Sequence, residues 1–116
     1  MTGVVPYTTY YAKEDYINNN KDIIKKFNTA LNKGLTFVKN NEPSEIAKVI
    51  LPEFPDLSLN DLTNLIKRYK DADSWYDNTF VNIDDYNRLV DIMIYGEALS
   101  KKLPVEVLIT NEFNWD

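Results

Sequence analysis

Carboxylates are the side chains best equipped for chemistry in this 116-residue chain, and they gather in three clusters: Asp71/Asp73, Asp84/Asp85 and Glu112/Asp116. A carboxylate pair can exchange protons with a substrate or hold a hard cation. A plainer role competes at each place. Asp84 and Asp85 open a helix, where the dipole already favours negative charge, and solvation or capping accounts for the clusters as a group. No calcium-loop spacing is present. The chain has no His and no Cys. That removes the zinc sites built from those residues, a cysteine nucleophile, a histidine general base and the Ser-His-Asp triad. Gly3, Gly34 and Gly96 stand apart and form no phosphate-binding loop. The sequence therefore predicts no catalytic residue, no metal ligand and no cofactor.

The aromatic residues offer more. Eight Tyr and two Trp supply flat apolar faces, each with one hydrogen-bonding group, which suits small-molecule pockets and interfaces. Tyr7, Tyr10 and Tyr11 put aromatic surface on both faces of one segment; core packing is the competing role for them. Trp75 lies in a polar, irregular stretch, DADSWYDNTFV, and is the better exposed candidate, although a Trp in a loop also serves as a core plug.

These residues are held by a chain whose pattern is helical after one opening strand. Val4–Ala12, VVPYTTYYA, is rich in β-branched and aromatic residues and interrupted only by Pro6, the composition of a strand. A lone strand leaves backbone N–H and C=O groups unpaired, so it needs a neighbour from outside this pattern. Tyr16–Ile17 is compatible with a short helical turn. A helix follows over about Lys21–Lys39, with Asn20 as N-cap and one apolar stripe through Ile23, Phe27, Ala30/Leu31, Gly34/Leu35 and Val38. Gly34 costs that helix about 1 kcal/mol relative to Ala and suits the close approach of another element. Pro43 and Ser44 start a helix over Ser44–Leu51, with Ile46, Ala47, Ile50 and Leu51 on one side. Phe54 anchors the following loop. Ser58 and Asp61 form a capping box with Asp in place of Glu, and the helix over Leu59–Asp71 points Leu62, Leu65, Ile66 and Tyr69 inward. Asp84 or Asn82 caps a helix over about 84–100, with Lys101 and Lys102 at its C-terminal end. A turn is expected around Val105–Leu108.

The fold class expected is thus mainly α with one N-terminal β-strand, in a single unit over 1–116. Hydrophobic residues make up 44% of the chain, enough for a core. The net charge of −5, with scattered basic residues, argues against a nucleic-acid partner. No apolar run approaches the roughly 20 residues of a membrane span. The absence of Cys fits either a reducing or an exported setting.

Five segments taken in order, VPYTTYYAKEDYI, KDIIKKFNTALNKGLTFVKNN, SEIAKVILPEFPD, LTNLIKRYKDADSW and YNRLVDIMIYGEALSKKLPVEVLITNEF, resemble the C-terminal part of ABC-transporter substrate-binding proteins. The group is the one that binds nitrate, taurine, alkanesulfonates or thiamine-pyrimidine precursors. The resemblance covers nearly the whole chain and rests on texture and segment order, not on a residue signature. It implies a fragment of a type II periplasmic-binding α/β fold, in which Val4–Ala12 joins the sheet of the first lobe and the helices cover that lobe. It implies an extracytoplasmic parent, periplasmic or membrane-anchored as a lipoprotein, with its signal upstream. The implied partners are a small anionic or heteroaromatic solute and an ABC permease, with binding and no enzymatic step. The positions nearest the implied cleft are Tyr7, Thr8 and Thr9, with Trp75 added; their hydroxyls and ring can meet such a ligand. Two other readings compete: a stand-alone helical interaction domain that forms a homodimer through its N-terminal strand, and a pyrimidine-synthesis-related enzyme, weakened by the lack of His.

Overall fold

Where the β-rich opening was expected to pair, it forms no strand ladder among the described residues. The computed structural model describes residues 3–113, and within them 4–12 form neither strand nor helix. The class is corrected from mainly α with one strand to α throughout the described residues, and no α/β sheet of a periplasmic-binding fold is present among them. The reason is the one that made a lone strand suspect. β-branched and aromatic residues bias the backbone towards extension, but a strand exists only as a ladder, and every other patterned segment here is helical. The Arg88 guanidinium ties the start of the segment down, donating to the Val4 carbonyl and to Asp85. Gly3, at φ +80°, leaves room for that guanidinium: a Cβ there would lie 3.0 Å from Arg88 Nε. Val5 and Pro6 are half-buried, and 7–13 are exposed.

The helices are α1 (Glu14–Asn19), α2 (Lys21–Asn40), α3 (Pro43–Ile50), α4 (Leu59–Asp71), α5 (Ile83–Tyr95) and α6 (Val105–Leu108), with a 3₁₀ turn at Leu51–Glu53. The sequence reads as one unit, whereas the packing divides into two, one holding residues 27–79 and the other the described residues 3–26 and 80–113.

In the 27–79 unit, α3 packs on α4 around Ile46, Ala47, Leu62 and Ile66, with Val38, Ile50, Leu51 and Leu57 against them. Pro43 fits the first turn of α3 because its missing N–H would have no partner there. Ser58 caps α4 by accepting from Asp61 N at 3.0 Å. Asp61 Oδ2 accepts the Ser58 hydroxyl in return, at 2.7 Å; one methylene shorter than Glu, Asp takes the nearer hydroxyl. Leu65 and Tyr69, expected inward, are more than a third exposed, as is Phe54.

In the other unit Tyr86, Val90 and Phe113 are buried. Asn82, not Asp84, caps α5, accepting from the N–H groups of Asp84 and Asp85. Asn20 does not turn its amide on α2; its Nδ2 donates back to Tyr16 O at 2.8 Å, closing α1. Asn111 grips the Val81 backbone from both sides, accepting from its N–H at 3.0 Å and donating to its carbonyl at 3.1 Å. α5 stops at Tyr95, five residues before the expected end, because Glu97 turns left-handed at φ +58°. Lys101 and Lys102 therefore lie beyond its last turn, and Lys102 reaches Asp91 at 3.4 Å.

Candidate functional site

The concavity that takes in a residue expected to bind ligand lies in the 27–79 unit and measures about 200 Å³. Its walls come from the last turns of α2 and α4 and the loop after α4. That loop starts with a Schellman ending. Asp73 sits left-handed at φ +50°, its N–H bonds to Lys70 O, and the Ser74 N–H bonds back to Tyr69 O, both at 3.0 Å. The reversal throws Trp75 back over α4, where its ring meets Tyr69 with centroids 5.5 Å apart and planes tilted by 31°. Trp75 and Tyr76 stay 38% and 40% exposed, so the aromatic wall faces solvent and does not plug a core.

Two lysines give the floor its charge. Lys70 Nζ donates to the carbonyls of Val38 and Asn41, each at 2.7 Å, and to Lys39 O at 3.4 Å. It thus closes the C-terminal end of α2, where a cation complements the dipole. Lys39 pairs with Asp77 at 2.6 Å across the mouth, both side chains more than half exposed. Lower in the same loop the Thr79 N–H donates to Asn32 Oδ1 at 2.9 Å, tying the loop to α2. The arrangement offers a flat indole face and one exchangeable ion pair. A small anion can compete with Asp77 for Lys39, whereas the three carbonyl bonds keep Lys70 occupied.

Tyr7, Thr8 and Thr9 lie in the other unit, in the extended opening segment. Tyr7 is 96% exposed, and Thr9 Oγ1 donates to Tyr10 O at 3.2 Å. The chain order keeps these three side by side without building a pocket around them. A second, shallow depression of about 540 Å³ runs along α5 between Asp84 and Tyr95. It was not foreseen; its signal was the polar face of α5, Asp84-Asn87-Arg88-Asp91, at helical spacing.

The carboxylate clusters take structural parts. Asp71 pairs with Lys67 at 2.6 Å, one turn away on α4; Asp85 pairs with Arg88 at 2.8 Å; Glu112 pairs with Lys21 at 2.9 Å. Asp116 lies outside the described residues. Among the described residues no group of three or more carboxylates is placed to hold a metal ion, and no helix is long and apolar enough to cross a membrane.

No family model matches the chain, and no solved structure matches it. It is 32% identical over 111 residues to a protein of Bacillus subtilis (strain 168) named "Putative binding protein YtlA". The alignment takes in 96% of this chain and 33% of that protein, so the chain spans about a third of the length of the curated relative it matches. The relative's name says binding and specifies no solute.

Proposed function

We propose that this chain is a segment of a solute-binding protein, the extracytoplasmic component of an ABC importer, and that it binds without catalysing a reaction. The observation that carries the reading is the alignment with a protein named for binding, which takes in 96% of this chain. The solute class we assign is small and anionic or heteroaromatic, of the nitrate, sulfonate, taurine or thiamine-precursor kind. Two features support it: an aromatic wall at Trp75 suited to a flat ring, and a solvent-facing cation at Lys39 held only by an exposed pair. A concavity of about 200 Å³ is below the roughly 300 Å³ at which ligand pockets begin. One wall of a larger cleft is the role that fits it. Tyr7, Thr8 and Thr9 are assigned to the ligand by resemblance, and all three residues are exposed.

The test is a titration of the protein encoded by the whole reading frame with nitrate, taurine, an alkanesulfonate and a hydroxymethylpyrimidine, read by calorimetry. One of the four is expected to saturate, and Trp75→Ala and Lys39→Ala are each expected to weaken it about tenfold. A folded protein that takes up none of them overturns the solute class. A tight complex indifferent to both substitutions removes the Trp75 wall from the site.

A further inference from the structure

α5 turns Tyr86 and Val90 inward, where they are buried. About 180° round the helix, Asp84, Arg88, Asp91 and Tyr95 follow one another at i, i+4, i+7 and i+11. Steps of four, three and four are the spacing of a coiled-coil seam. The shallow depression along α5 follows this line, with Asn87 and Ile92 at its flanks. The seam is open: Tyr95 is 93% exposed, and the Asp91 side chain is 68% exposed. Its charges are also under-used. Both bonds that Arg88 makes among the described residues leave from Nη1, so Nη2 has hydrogens to give. Asp91 meets Lys102 at a long 3.4 Å, and Asp84 enters no ion pair among the described residues. A polar helix face is ordinarily a solvated one; the order of the residues sets this one apart.

We infer that this face of α5 pairs with the same face of a second copy of the chain, the two helices running antiparallel about a two-fold axis. An isologous contact requires that residue i meet j while j meets i. Reversing the seam about its midpoint, between Leu89 and Val90, does so. Arg88 comes opposite the second copy's Asp91 and Asp91 opposite its Arg88, while Asp84 and Tyr95 exchange partners in the same way. Two guanidinium–carboxylate pairs and two phenol-to-carboxylate hydrogen bonds result from four residues a side. A parallel pairing would set Asp84 on Asp84 and Arg88 on Arg88. A slip of one heptad in either direction leaves two of the four residues without a partner. The charges thus select a second copy, in one orientation and one register. The seam is about 17 Å long, and one helix face of that length falls well short of the roughly 1,200 Å² of a stable interface. The dimer is accordingly weak, with a dissociation constant on the order of 0.1–1 mM. The seam and the Trp75 concavity belong to different units, and the pairing needs nothing of the solute reading.

The experiment weighs the intact 116-residue chain by sedimentation equilibrium from about 20 µM to about 2 mM and follows the amide shifts of labelled chain over the same range. The mean mass is expected to climb from one chain towards two, with shifts centred on Arg88 and Asp91. Asp91→Arg sets arginine against arginine and should weaken the pairing at least about tenfold; Arg88→Asp should do the same with carboxylates. Mixed in equal amounts, these two variants should pair again, because the arginines of one meet the carboxylates of the other. Tyr95→Asp brings a carboxylate against the second copy's Asp84 and should also disrupt the dimer, while leaving Arg88 and its bond to Val4 in place. Asp91 and Tyr95 are both exposed, so their variants keep the fold and decide the matter even where Arg88→Asp does not fold. A chain that stays single at about 2 mM overturns the pairing. So does a dimer indifferent to Asp91→Arg or to Tyr95→Asp, or a mixture of two folded charge variants that fails to pair. Shifts centred on residues 4–12 overturn it as well, since they would make the opening segment the contact.

Discussion

Glu97 and Asp73 both sit in the left-handed region, at φ +58° and +50°, and each ends a helix there. The backbone bonds match at the two places: Ala98 N to Met93 O and Glu97 N to Ile94 O after α5, and the corresponding pair after α4. Glycine is the residue that usually occupies this position, because a Cβ crowds the following carbonyl. Asp tolerates the region better than Glu. Glu97→Gly is therefore expected to raise the unfolding free energy by up to about 1 kcal/mol, and Asp73→Gly by less; urea titrations followed by helix content decide it. A destabilised Glu97→Gly chain would mean that the Glu side chain contributes something its exposed position does not show. These residues also mark where sequence stops being informative. Gly96 is visible as a stop signal, yet it occupies the C-cap while Glu97 makes the turn. Carrying the helix on to about residue 100 lengthens it past its real end at Tyr95. By contrast, Ser58 and Pro43 announce their helix starts directly, since a side-chain cap and a missing N–H are properties of the residue itself.

At the scale of elements, the α3–α4 pair is where folding energy concentrates. Ile46 and Ile66 are 2% and 3% exposed, and Ala47 is fully buried. Ile66→Ala is expected to cost about 2–5 kcal/mol by removing buried methylenes and leaving a cavity, whereas Val49→Ala, on the exposed side of α3 at 62%, should cost under about 0.5 kcal/mol. Comparable losses at both positions would show that the pair is not the core. The apolar residues of α3 and α4 were legible because their i, i+3, i+4 spacing points one way. α2 was legible as a helix but not in its facing. The broad run from Ile23 to Val38 reads as one stripe, and only the packing separates its half-buried residues from its exposed ones. The opening segment failed for the opposite reason: strand composition is local, but a strand is a relation between two segments, and the second is not in this chain's described part.

The molecule as a whole divides into units of unlike security. In one, α3 and α4 enclose a continuous cluster; the other begins with a stretch held to its neighbours by Arg88. Hydrogen exchange is expected to separate them. Amides of Ile46, Ala47 and Ile66, inside helices on the core side, should be the slowest. Those of residues 7–13 should exchange almost at the rate of an unstructured peptide, and protection there would show a partner for that segment in solution. The candidate site was legible in part. Trp75 was singled out for standing in a polar loop, and it lines the concavity. Lys39 and Lys70 were not, since nothing in their local sequence says which carbonyls and carboxylates the fold will bring within reach. Lys70 in particular spends all three ammonium hydrogens on carbonyls some 30 positions away, and that has a chemical consequence. An acylating reagent must reach the amine nitrogen, and at Lys70 three carbonyls surround it. Lys70 is thus expected to be the slowest lysine in the chain to react, and its labelling rate gives a clock, readable by mass spectrometry, for how often α2 and α4 come apart.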